Sequence, residues 1–299
     1  MKRKFGLLIV ILSIALNISA KKYIVFYLGG QSNMDGHGTV SELPESLNQP
    51  VNGVYIFHGS STKDTFEVGG QGIWEVLKPG HGGGHTATFE KNNLSGSFGI
   101  ELTFATEMQK LYPNENIALI KYSRGGTSIH KDAAGPFGCW EPDYTVGTGV
   151  NQYDHFLATV RNACAVRDID GDGEDDELIP AGILWMQGES DAGKKEWADQ
   201  YAANLKRLMD LIRAAFRTDD LPVVVGRISD SGNSPTGKVW KYGREIRWQQ
   251  AKFVSRDGNA ALVTSTDNYN YSDPWHYDTE GYIDFGKQFA RKMHELLQR

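Results

Sequence analysis

Five short runs rich in β-branched and aromatic residues punctuate the chain: Tyr23 to Leu28, Ile117 to Lys121, Ile183 to Met186, Val223 to Arg227, and Ala261 to Ser265. Each reads as a buried strand. Between them the apolar spacing changes to threes and fours, most clearly at Trp197, Tyr201, Leu205, Leu208, Ile212 and Phe216, which share one face of a helix. Weaker helical patterns run from Phe98 to Leu111, Tyr153 to Val166, Arg244 to Val254 and Tyr282 to Leu297. Near-continuous apolar strands alternating with amphipathic helices predict an α/β fold, a doubly wound domain on a five-stranded parallel sheet. The segment Val40 to Ser95, rich in Gly, Ser, Thr and Asn with one further apolar run at Val54 to Phe57, reads as a loop-rich insertion after the first strand. There is no internal repeat.

The N-terminus departs from this pattern. Met1-Lys2-Arg3-Lys4, an apolar stretch from Phe5 to Leu16, and Ile18-Ser19-Ala20 have the charge, length and small exit residue of a secretory signal. The apolar stretch falls short of the roughly 20 residues a spanning helix needs. The expectation is therefore a signal peptide over residues 1–20, and a single secreted or periplasmic domain over 21–299 with its insertion at about 40–95, without a membrane span. A formal charge of -6 offers no basic field for nucleic acid and favours a neutral or weakly charged ligand. Export makes a disulfide between the only two cysteines, Cys139 and Cys164, an option beside two buried thiols; neither has metal or redox spacing.

In open α/β sheets ligands bind beyond the carboxyl ends of the strands. Here those ends carry Gly29-Gly30-Gln31-Ser32-Asn33-Met34, then Ser123-Arg124-Gly125-Gly126-Thr127, then Gln187-Gly188-Glu189-Ser190-Asp191, and finally Asp273-Pro274-Trp275-His276. Acyl transfer needs a hydroxyl nucleophile, a base to take its proton, a carboxylate to hold the base, and donors aimed at the oxyanion. Ser32, His276 and Asp273 fill the first three roles. The Ser32 amide, an amide of Gly125 or Gly126, and the Gln187 side chain could supply the donors. Each has a plainer alternative: Ser32 as a helix cap, Gln187 as an amide linking two loops, the glycines as turn formers. Glu189 and Asp191 read as loop-holding carboxylates.

Taken together, Gly-Gln-Ser-Asn-Met, Gly-Gly-Thr-Ser, Gln-Gly-Glu-Ser-Asp and Asp-x-x-His resemble the successive blocks of SGNH hydrolases. They are most similar to the sialate O-acetylesterase and acetyl xylan esterase branch, carbohydrate esterase family six. Gln187, where the wider superfamily carries asparagine, fits that branch. The resemblance implies a three-layer α/β/α flavodoxin-like fold and deacetylation of a sugar ester with no cofactor required. It places the triad at Ser32, Asp273 and His276, and leads us to expect substrate contacts at Gln31, Asn33 and Trp275. An SGNH lipase or thioesterase, or a carbohydrate-binding protein that has lost catalysis, are the alternatives.

Two further motifs concern metals. Asp168-Ile169-Asp170-Gly171-Asp172-Gly173-Glu174-Asp175-Asp176 has the alternating oxygens and turn glycine of a calcium loop, with Asp168, Asp170, Asp172 and Asp176 as the candidate ligands of a structural calcium. Ile179 stands where the bidentate glutamate belongs, so a solvated acidic turn is the competing reading. His81-Gly82-Gly83-Gly84-His85 lacks an evident third ligand and a nucleophile elbow, and is expected to be a loop at the site rim.

Overall fold

The computed structural model describes residues 20–62, 69–145 and 150–299; all of the expected signal segment except Ala20 lies outside them. Its central sheet has seven strands rather than five. In chain order they are β1 (Lys22–Gly30), β2 (Val54–His58), β3 (Trp74–Val76), β4 (Asn116–Ser123), β5 (Glu177–Met186), β6 (Val223–Gly226) and β7 (Ala260–Val263), arranged β7-β6-β5-β1-β4-β2-β3. All neighbours are parallel except β3, which runs antiparallel to β2 at the edge. The two additional strands come from the expected insertion. Val54, Ile56 and Phe57 are fully buried beside β4, so that apolar run belongs to the sheet. Trp74–Val76 is too short and too half-buried to leave a pattern in the sequence.

The helices are α1 (Ser32–Asp35), α2 (Ile100–Leu111), α3 (Gln152–Ala165), α4 (Lys195–Ala215), α5 (Gly243–Asp257) and α6 (Thr279–Leu297). Helix α2 packs on α6 and α4 on α5, and β7 touches a member of each pair. The stripe read from α4 is the one that faces inward: Tyr201, Leu205, Leu208 and Ile212 are buried. Burial of each such aliphatic side chain stabilises the fold by about 1.5–3 kcal/mol, and truncating Leu208 to Ala would cost about 2–5.

Register sets the height of the site. Gly29 and Gly30 of β1 lie opposite Tyr122 and Ser123 of β4 and opposite Trp185 and Met186 of β5. The three loops that follow therefore leave the sheet at one level. Cys139 and Cys164 do not form a disulfide. Cys139 is buried in the loop between β4 and α3, bridging the backbone of Ser128 and Asn151, while Cys164 is exposed on the last turn of α3.

Candidate active site

The nucleophile segment depends on Gly30. Its φ is +146°, and a Cβ there would stand 1.9 Å from the Met186 carbonyl oxygen. Only glycine permits this approach, which lets the Gln31 amide donate to that carbonyl at 2.9 Å. The chain then turns into α1, closed by the Met34 and Asp35 amides donating to the Gln31 carbonyl (2.7 and 2.9 Å). Ser32 sits at the mouth of this turn, where first-turn amides have no partner within the helix. From the neighbouring loop, the Arg124 amide donates to Gly30 O at 3.1 Å. A Cβ on Gly125 would lie 3.2 Å from the Ser32 Cβ, so Gly125 packs directly on the serine. Gly126 instead adopts φ +72° and faces the Phe137 ring, which identifies it as the turn former of the pair.

Asp273 and His276 are joined within one tight loop. Asp273 Oδ1 accepts the amides of Trp275 and His276 at 2.7 and 2.8 Å, and its Oδ2 meets His276 Nδ1 at 2.7 Å. Burial opposes ionisation of this carboxyl, but the imidazole and the two amides outweigh it and hold Asp273 below the usual carboxylate range. With Nδ1 committed to the carboxylate, Nε2 is the nitrogen left for a substrate or a hydroxyl. His37 lies flat on the His276 ring, with centroids 3.7 Å apart and planes at 15°. Burial, then the charge of His276, pushes His37 down to about 4, so it is a neutral slab. The sequence reading missed His37 because its partner is more than two hundred residues away.

Asn33 fastens the two halves together. Its Nδ2 donates to Glu189 Oε1 (2.7 Å) and to the Trp275 carbonyl (3.1 Å), and its Oδ1 accepts the Tyr282 hydroxyl (2.7 Å). Residue 33 thus ties the segment that carries Ser32 to the loop that carries His276. Asn33 is 2% exposed and Gln31 3%, so neither is placed to meet substrate as expected. Gln31 Oε1 instead accepts from Gln187 Nε2 (3.2 Å) and from the amides of Gly188 and Ser190 (both 3.3 Å). Gln187, 0% exposed, turns its Nε2 toward Gln31 Oε1, Thr127 O (3.1 Å) and Asp191 Oδ2 (2.7 Å). Two amide hydrogens facing three acceptors leave none for an oxyanion, and the linking role fits the geometry. Glu189 and Asp191 hold loops, Asp191 also accepting the amides of Ile129 (2.9 Å) and His130 (2.8 Å).

Residues 22–295 match the family described as carbohydrate esterase, sialic acid-specific acetylesterase. The chain belongs to this family. It is accordingly an ester hydrolase of the carbohydrate acetylesterase kind. Its fold is similar to that of a protein from Arabidopsis thaliana, at 19% identity over 93% of this chain and 99% of that one, with a TM-score of 0.61. It is also similar to a carbohydrate acetylesterase from Xanthomonas citri (17% identity, 92% of this chain, TM-score 0.61), of which this chain spans only 57%. NanS gives 13% identity over 94% of this chain and 99% of its own, with a TM-score of 0.57. No curated protein sequence matches the chain.

Around the esterase's site the tryptophans divide cleanly. Trp140 and Trp185 are buried against each other, with centroids 5.0 Å apart at 79°, and belong to the core. Trp275, beside His276, is 49% exposed. The acidic loop gathers carboxylates of Asp168, Asp170 and Asp176. A cation already serves it: the Lys21 ammonium pairs with Asp170 and with Asp172 (2.6 Å). The remaining oxygens largely accept from the loop's own amides, Asp168 from Gly171, Asp172 and Gly173, and Asp176 from Ile169. Among the described residues, no helix is long and apolar enough to cross a membrane.

Proposed function

We propose that the chain is an exported serine acetylesterase that removes acetyl groups from a carbohydrate. His276 Nε2 takes the proton of Ser32 Oγ as the oxygen attacks the acetyl carbonyl carbon. The oxyanion is met by the amides of Ser32 and Gly125. The tetrahedral species collapses with the sugar oxygen leaving, protonated by His276, and acetate remains as an ester of Ser32. Water, deprotonated by the same imidazole, then releases acetate and restores the serine. Asp273 fixes the tautomer and stabilises the imidazolium, so no cofactor is needed. The exposed face of Trp275 offers a sugar ring an apolar platform.

The observation that carries this reading is the Asp273–His276 pair tied through Trp275 to the residue after Ser32. The test is acetate release from acetylated xylan and from O-acetylated sialic acid, comparing wild type with Ser32→Ala. Loss of about four to six orders of magnitude in turnover is expected. Near-normal release by the variant would sink the mechanism, and activity confined to long-chain esters would redirect it to a lipase. Export rests on the N-terminal pattern and is checked by the mature N-terminus, expected at Lys21.

A further inference from the structure

The motif His81-Gly82-Gly83-Gly84-His85 acquires in the fold the third histidine that its sequence context lacks. His58, the last residue of β2, stacks on His85 with ring centroids 3.9 Å apart at 6°, and His81 closes the group at 5.6 Å from His58 and 5.1 Å from His85. One ring nitrogen from each lies within 4.8 Å of the others. His58 and His81 are 6% and 0% exposed. His58 Nδ1, both nitrogens of His81 and His85 Nε2 have no hydrogen-bond partner. Buried polar atoms are normally satisfied, and an unpartnered nitrogen on each of three clustered rings calls for a common ligand.

We propose that His58, His81 and His85 bind a divalent transition ion, zinc in the first instance. Neutral imidazoles suit zinc, whereas calcium and magnesium require oxygens. An ion at the centre of nitrogens 4.8 Å apart would need each to close by about 0.7 Å at most to reach a Zn–N bond of about 2.0–2.1 Å, and one ring of the His58–His85 stack would turn so that both lone pairs meet the ion in plane. An orienting carboxylate is in place. Glu75 Oε1 lies 3.4 Å from His81 Nε2, and Glu75 is itself fixed by Lys78 (2.6 Å) and Asn92 (2.6 Å). A carboxylate on Nε2 leaves Nδ1 of His81 as the ligand atom. The buried ammonium of Lys121, which donates to the His81 carbonyl, is paired with Glu101 Oε2 at 2.8 Å.

The role of the ion follows from what the loop touches. Lys121 Nζ donates to the carbonyls of both His81 and Asp35 at 2.8 Å, and the Gly83 amide donates to Gly36 O at 2.7 Å. A Cβ on Gly83 would stand 3.0 Å from His37 Cε1. The ion therefore pins the 80–85 loop to β2 and, through it, braces the segment that carries Ser32 and His37.

The test uses chelator-treated full-length protein without a polyhistidine tag. Wild type is expected to take up one cobalt ion per chain with the intense visible bands of a four-coordinate site, to exchange it for zinc, and to gain several degrees in Tm with zinc but none with calcium. His58→Asn and His85→Gln should abolish the bands, Glu75→Gln should weaken binding by about 10- to 100-fold, and His276→Ala should leave binding intact. Absence of both bands and zinc shift in wild type overturns the proposal. So do bands that survive in His85→Gln or vanish in His276→Ala. Should the His58 variant misfold by circular dichroism, Glu75→Gln and the wild-type zinc shift decide.

Discussion

Replacing Asn33 with alanine should damage both stability and rate, for reasons that can be worked through bond by bond. The substitution strands two buried partners, the Glu189 carboxylate and the Tyr282 hydroxyl, and the part-buried Trp275 carbonyl. A bond to a charged group contributes about 1.5–3 kcal/mol and each of the two neutral ones about 0.5–1.5, giving roughly 2.5–6 in total. Burial already pushes the Glu189 carboxyl up, so uptake of a proton relieves part of this loss, and a net cost of about 2–4 kcal/mol is expected. That is a large part of a total stability of about 5–15 kcal/mol. The rate effect is separate. Asn33 is the direct tie between the serine segment and the loop of Trp275 and His276, and a misplacement of about 1 Å between reacting groups lowers turnover about a hundredfold. Urea unfolding measures the first and kcat on an acetyl ester the second. Asn33→Asp keeps the size but sets a second carboxylate against Glu189, and should do no better than alanine. Unfolding within about 0.5 kcal/mol of wild type, together with an unchanged kcat, would refute the tether.

Other substitutions test the rest of the site. Gln187→Ala should lower stability by about 2–4 kcal/mol, since Asp191 and Gln31 lose a buried donor; an unchanged unfolding midpoint with a thousandfold loss of kcat, about what one oxyanion donor is worth, would instead make its amide that donor. Gly30→Ala, with a Cβ 1.9 Å from Met186 O, should not accumulate as folded protein, which solubility and circular dichroism will report. Acid should destabilise the fold through His37. Its pKa is about 4 in the folded protein against an ordinary histidine value of 6.5, so between those pH values the unfolded chain gains a proton that the folded one refuses. Stability then falls as pH drops through that window, by about 1.4 kcal/mol per pH unit for this group, and Tm measured against pH should show a shallower acid slope in His37→Phe.

Much of this architecture was legible because β1, β4, β5, β6 and β7 announce themselves as apolar runs, and because four loops carry the chemistry directly after strands. What escaped reading depends on contacts between distant residues. Val54–His58 looked like part of an insertion because its flanks are polar, yet its register beside β4 makes it core. Gln31 and Asn33 stand on either side of the serine, which suggested substrate contact, while their actual partners come from residues 187–190, 275 and 282. His58 ends a strand of the central sheet and His81 lies in a later loop, and no spacing rule joins them. Carboxamides and imidazoles are recognised by geometry, and geometry is the part that the linear order of residues withholds.

The position of β1 has a consequence for biosynthesis. The strand that carries the serine is made first, but its two neighbours in the sheet are β4 and β5, and the histidine loop comes later still. At ordinary rates of synthesis, β1 waits several seconds for its first sheet neighbour. Such distant pairings fold slowly and cannot be nucleated by an early fragment. A polypeptide built this way cannot complete the centre of its sheet until both later strands have been made. The loop of Ser32 therefore meets that of Asp273 and His276 only after every strand of the central sheet has been made.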